Sequence, residues 1–200
     1  MKMQKCLSCL GAAALSACAL TSCGGGDSSA LQVVAANTFV SEEALTAYSD
    51  ELLAAHPEWA EGETAVEFTA LSLGSEESDA AAYGAGIMKV SAMVASGEID
   101  VMICDLENAA RNARSDVYLP LEDFLSEEEM AAYSDLALSF DMVDDEGNPT
   151  GEQTAACGLS LTGSDALSDI YGESEYGVFI VANTENVEQA KDVALAILES

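Results

Sequence analysis

Histidine is nearly missing from this chain: His56 is the only one in 200 residues, and it stands beside Pro57 at the end of a helical pattern. A serine or cysteine nucleophile would lack its usual base, so no catalytic residue is assigned and His56 is expected at the surface or as a cap. Basic residues are almost as scarce, six Lys and Arg against 36 Asp and Glu, for a formal net charge of −30. So acidic a surface repels phosphate backbones and anionic headgroups, which excludes nucleic acid and peripheral electrostatic membrane contact. It attracts cations, although charge runs more often only keep a surface solvated. Proline is rare too, with three residues, while half the chain is hydrophobic. A linker-like chain is therefore excluded, and one domain with a real core fits the length. Trp59, the one tryptophan, and the tyrosines at 48, 83, 118, 133, 171 and 176 could stack on a sugar, but Tyr48 suits a core position and Trp59 the cover of a helix end.

Several chemical motifs are incomplete. Gly158, Ser160 and Gly163 miss the spacing of a nucleophile elbow by one residue. Gly84 and Gly86 follow no strand and lack a third glycine, so helix packing accounts for them better than a dinucleotide loop. Asp141, Asp144 and Asp145 near Gly147 do not keep the spacing of a calcium loop, and a hairpin turn is the better account. Paired carboxylates occur throughout and single out no glycosidase. No metal or cofactor is assigned.

The one long apolar run lies at the start. Lys2 and Lys5 precede an uncharged stretch from Cys6 to Leu20, too short for a comfortable span, and small residues lead to Cys23. The sequence Leu20-Thr21-Ser22-Cys23 resembles the lipobox of bacterial lipoproteins. That resemblance implies a signal peptide over 1–22, a diacylglycerol on Cys23, attachment to the extracytoplasmic face of the cell membrane and a flexible tether over 23–30. A single α/β domain is expected over 31–200. Cys6, Cys9 and Cys18 leave with the signal. Cys104 and Cys157 remain outside the reducing cytosol, either as a disulfide worth roughly 4 kcal/mol if their strands are neighbours or as two separate buried thiols.

Within the domain, the run Ile99 to Ile103 marks a strand covered on both faces. Before it, Ile87, Val90 and Val94 keep helical spacing until Gly97, placed for a left-handed C-terminus. Leu31 to Ala36 and Ala65 to Leu71 predict two earlier strands. Between them Ser41 caps a helix that begins with Glu42 and Glu43, buries Leu45, Tyr48 and Leu52, and stops at Pro57. This β-α-β-α-β order predicts right-handed crossovers. Downstream, a short helix over 106–111 suits a Glu107–Arg111 ion pair. Ser126 and Glu129 form a capping box. Leu136 to Val143 alternates as a strand whose partner is 152–161. A turn or two of helix over 164–171, a buried strand over 178–181 and a last helix with Val187, Ala190, Ala194, Ile197 and Leu198 inward complete the chain. The expected fold is α/β: an open, mostly parallel sheet of about five strands, with an antiparallel hairpin or strand, flanked by helices.

Ligands of open α/β sheets bind beyond the carboxyl ends of the strands, where Asn37 and Thr38, Ser72, and Asp105, Glu107 and Asn108 fall. Their amides and hydroxyls would hydrogen-bond, and Asp105 or Glu107 would meet a cation or sugar hydroxyls. Each could equally be a cap or turn residue.

The stretch M-V-A-S-G-E-I-D-V-M-I-C-D followed by Y-L-P-L-E-D-F-L, together with the ending G-V-F-I-V-A-N-T-E-N-V-E-Q-A-K-D-V-A-L-A-I-L, resembles the first lobe of the extracellular solute-binding proteins of ABC importers. The resemblance implies a non-catalytic binding lipoprotein for a sugar or other small solute, partnered by a permease. It also implies a second lobe inserted before the last strand and helix. Only Gly158 to Tyr176 is available there, too little to build one, so a single lobe is expected, with a half-site that needs a partner surface. The rival is a surface interaction or scaffold lipoprotein that keeps the fold without a solute.

Overall fold

The computed structural model describes residues 30–172 and 174–200. The expected signal peptide over 1–22, Cys23 and all but the last residue of the expected tether lie outside the described residues. Parallel strands β1 (Leu31–Asn37), β2 (Val66–Ser72) and β3 (Val101–Asp105) are joined by α1 (Glu42–Ala55) and α2 (Glu76–Ser96). The chain continues through α3 (Leu106–Ala113), α4 (Glu127–Ala132), β4 (Ala137–Leu138), β5 (Asp141–Val143), β6 (Pro149–Gln153), β7 (Gly158–Ser160), α5 (Asp165–Tyr171), β8 (Tyr176–Ile180) and α6 (Val187–Glu199). The main sheet has six strands in the order β2-β1-β3-β8-β7-β4, with β5 and β6 forming a separate pair. It is an open α/β sheet of mixed sense, parallel from β2 to β3 and antiparallel from β3 onward.

Strand β3 is central because both its faces are apolar. Val101 and Ile103 enter one core layer with the buried residues of α1, α5 and α6, while Met102 and Cys104 enter the other beneath α2 and α3. None of the four is more than 1% exposed, which accounts for the unbroken apolar run. Ser41 Oγ caps α1 from Ala44 N–H, Leu45, Tyr48 and Leu52 are buried, and Pro57 opens a 3-10 turn after His56. The long helix α2 ends on Gly97 at φ +72°, a conformation that glycine adopts without the Cβ penalty. Near its start it breaks at Asp79, whose Oδ1 accepts from Ala81 and Ala82 N–H, so Asp79 caps the continuous part of the helix.

The amino ends of the strands are tied by Asp100. Its Oδ2 accepts from Gln32 N–H at 2.8 Å and its Oδ1 from the Thr184 hydroxyl at 2.5 Å, while its backbone bonds Gln32 and Val181. One carboxylate thus joins β1, β3 and the exit from β8. At the antiparallel end, Phe179 lies over Gly158, where an added Cβ would collide with its ring. Tyr118 stacks on the same ring at 4.4 Å between centroids.

One strand expectation changes. The predicted strand over 136–143 is divided between β4 and β5, which belong to different sheets. Leu138 faces Gly158, but Phe140 exchanges backbone and hydroxyl bonds with Thr154. The return strand therefore carries two more residues than its partner, Ala155 and Ala156, and the Ala156 carbonyl turns away to accept from Leu121 N–H. A bulge of this kind ends one ladder and starts another. The turn after β5 is a hairpin as expected, with Asp144 Oδ1 accepting from Glu146 and Asn148 N–H.

Cys104 and Cys157 are free, buried thiols. Cys104 is on β3 and Cys157 adjoins β7, and β8 runs between those strands. Two strand spacings, about 9.5 Å, exceed the reach of a disulfide, whose Cα atoms lie within about 7 Å. Of the two readings the sequence left open, separate thiols is the one this sheet order allows. Burial pushes the Cys104 thiol up to about 12 and the Cys157 thiol to about 11, so neither is a nucleophile at neutral pH.

Candidate functional site

The register brings three of the expected residues into one row. Asn37 on β1 faces Ser72 on β2, Ala36 faces Cys104, one step before Asp105, and Asp105 faces Tyr176 on β8. The row lies at the carboxyl ends of the parallel strands, where α1, α2 and α3 begin.

Much of the polarity in this row serves the chain itself. Asn37 is 1% exposed, and its Oδ1 accepts from Thr38 N–H at 2.6 Å. Its Nδ2 is buried with no hydrogen-bond partner, a costly state for a donor. Ser72 Oγ accepts from Val40 N–H at 3.0 Å and donates to the Val40 carbonyl, which fixes the corner between β1 and α1. Asp105 caps α3, its Oδ1 accepting from Asn108 N–H at 2.8 Å and its Oδ2 from Asn108 Nδ2 at 2.6 Å. Thr38 and Glu107 are exposed.

The expected Glu107–Arg111 pair is replaced by a different contact. Arg111 donates to Asn108 Oδ1 at 2.9 Å and to the Tyr83 hydroxyl at 2.8 Å, with its guanidinium carbon 5.7 Å from the Tyr83 ring centroid. Tyr83 also donates to Asn108 Oδ1. Asn108, only 5% exposed, holds its carbonyl toward α2 because its amide is bound by Asp105. Arg111 follows that carbonyl inward, while Glu107 stays in solvent. The outcome is a polar chain, Asp105 to Asn108 to Arg111 and Tyr83, that bridges α3 and α2. Beneath it a crevice of about 10 Å³ is lined by Ala36, Leu73, Val90, Cys104 and Asn112, among others, room for about one water. A solute at this edge would lie on the surface of the domain rather than inside it.

Three residues here lie outside the candidate set that the strand ends define. Tyr83 is one of the tyrosines that could stack on a sugar and Arg111 is half of the expected pair with Glu107, but the sequence placed neither at this edge. Phe39 is not among the candidates either, yet it is 61% exposed, and an aromatic inside the turn Asn37-Thr38-Phe39-Val40 was its available signal.

The incomplete motifs have structural roles. Ser160 ends strand β7 rather than sitting on a strand-to-helix turn. Gly84 and Gly86 lie within α2, where a Cβ on Gly86 would come within 3.3 Å of Leu73. His56 caps the end of α1, stacks on Trp59 at 4.0 Å and meets Glu58 at 3.3 Å. Among the described residues no cluster of three His, Cys, Asp or Glu could hold a metal, and no helix is long and apolar enough to cross a membrane.

With this geometry in view, comparison with known proteins gives no match: no family model, curated protein or solved structure aligns with the chain. The class is therefore stated from the fold alone, an open α/β sheet with a polar carboxyl edge.

Proposed function

We propose that this protein is a lipid-anchored extracytoplasmic binding module for a small hydroxyl-rich solute such as a carbohydrate, related to one lobe of the solute-binding proteins of ABC importers and without covalent chemistry of its own. The observation that supports this reading most is the setting of Arg111. In so acidic a chain its guanidinium reaches no carboxylate among the described residues, and it lies on neutral oxygens at the end of the sheet where α/β ligands bind. Its remaining N–H groups would donate to neighbouring hydroxyls, Glu107 and Thr38 would accept or exchange hydrogen bonds, and Phe39 and Tyr83 would cover the apolar face of the ring. An edge this open buries little of a small ligand, so tight binding calls for a second surface: an importer permease or another copy of the chain. The lipid on Cys23 would hold the module at the outer face of the membrane.

A second reading, a surface interaction or scaffold lipoprotein, is favoured by one observation: the oxygens of Asn37, Ser72 and Asp105 are already hydrogen-bonded within the chain. A thermal-shift panel of neutral sugars and sugar acids against the full chain in non-ionic detergent tests the choice. The first reading predicts that at least one solute raises Tm and that Arg111→Ala and Asp105→Ala/Asn108→Ala remove the shift. A flat panel, with a non-permease surface complex recovered from solubilised membranes, would establish the second.

A further inference from the structure

A wide concavity lies away from the carboxyl edge. It is an open trough of about 940 Å³ between the end of α1 and the outward side of α6. Trp59, Leu195 and Ala196 contribute an apolar floor, and Glu58, Glu188, Asp192 and Glu199 form the rim. From Glu188 to Glu199 the trough follows α6 for roughly 16 Å at the rise of an α-helix, the length of a short peptide segment rather than of a single small solute.

The charges on this rim are arranged against the helix that carries them. Glu188 and Asp192 stand at i and i+4, a spacing at which like charges repel, and among the described residues neither carboxylate has a hydrogen-bond or ion-pair partner. Glu199 occupies the last turn of α6, where the helix dipole disfavours an acid. The nearest cation on the helix, Lys191, reaches instead to Glu129 on α4 at 2.8 Å, so it leaves the trough uncompensated. On the α1 side the only basic group among the described residues is His56, which is turned to Glu58.

We infer that this trough is a docking groove for a cationic amphipathic peptide segment of a partner protein, whose apolar residues lie against Trp59, Leu195 and Ala196 and whose lysines or arginines meet Glu188, Asp192 and Glu199. The groove is separate from the carboxyl edge, so the inference stands or falls independently of the solute reading. Charge complementarity selects the occupant: a second copy of this chain would bring another acidic surface to an acidic rim and be repelled.

Because Trp59 is the one tryptophan, its emission reports on this groove in the full chain. The chain in non-ionic detergent is titrated with a twelve-residue helical peptide of Leu, Ala and Lys, and separately with the same peptide carrying Glu in place of Lys. The expected result is a saturable change in Trp59 emission with the Lys peptide only. Its Kd should weaken at least tenfold in Glu188→Gln/Asp192→Asn and less than twofold in Glu76→Gln/Glu77→Gln, which removes the same charge from the start of α2. No saturable response, a response to the Glu peptide, or equal weakening in both double variants would overturn the proposal, the last because net charge alone would then explain binding.

Discussion

The two ends of the parallel strands are built differently. At the amino end, one carboxylate, Asp100, satisfies the Gln32 N–H and the Thr184 hydroxyl, and its backbone is bonded to Gln32 and Val181. At the carboxyl end, Asn37 Nδ2 is buried with no partner, Phe39 stands largely in solvent, and Arg111 lies on neutral oxygens. Fully paired buried polar groups stabilise a fold, and incompletely paired ones are where function resides. The amino end thus ties the layer together, and the carboxyl end is the edge to which the proposed recognition is assigned.

The sharpest way to break this comparison is to exchange the effects of substitutions at the two ends. Asp100→Ala removes the side-chain acceptor of the Gln32 N–H and the Thr184 hydroxyl and should lower unfolding free energy by about 2–3 kcal/mol in urea melts, without selectively affecting solute recognition. Gly158→Ala drives a Cβ into Phe179 and should cost about 1–3 kcal/mol as overpacking. Asn37→Ala loses the bond to Thr38 N–H but also removes an unpaired donor, so its stability should stay within about 1 kcal/mol of the parent. If Asn37→Ala proved as damaging as Asp100→Ala, the carboxyl end would be a second structural knot.

Smaller effects refine the account. Hydrogen bonds from Lys191 and from the Ser126 backbone and hydroxyl hold the Glu129 carboxyl down to about 2. A depressed folded-state value stabilises above the unfolded one, 4.5, and is lost as pH falls through the folded one. The α4–α6 tie should therefore weaken between pH 4.5 and 2, and Glu129→Gln should flatten stability against pH in that window. Smallest is the thiol response: at pH 8 an alkylating reagent should leave Cys104 and Cys157 unmodified in the folded chain and label both in urea without reductant. Labelling that requires reductant would mean a disulfide.

The sequence disclosed the elements whose causes are local. Ser41 and the Ser126–Glu129 pair cap their helices, Gly97 ends α2, and the apolar run through Ile103 marks the buried strand, because capping, left-handed backbone and two-sided burial each leave a short-range signature. The carboxyl-edge row of Asn37, Ser72 and Asp105 followed from the same strand order. What stayed hidden depends on distant residues. Arg111 has a good local partner in Glu107, but Tyr83, 28 positions away, and the Asn108 carbonyl draw it elsewhere. The division of the strand over 136–143 originates in Ala155 and Ala156 on the opposite strand, where two alanines carry no mark of a bulge.

The most direct measurement is an amide chemical-shift map of the isotope-labelled full chain, titrated with the solute that gives the largest thermal shift. The account predicts perturbations concentrated at Thr38, Phe39, Tyr83, Glu107, Asn108 and Arg111, with the amino-end amides of Gln32 and Asp100 unmoved. Perturbations centred on the amino end, or on the outer face of α6 with the carboxyl edge silent, would contradict it.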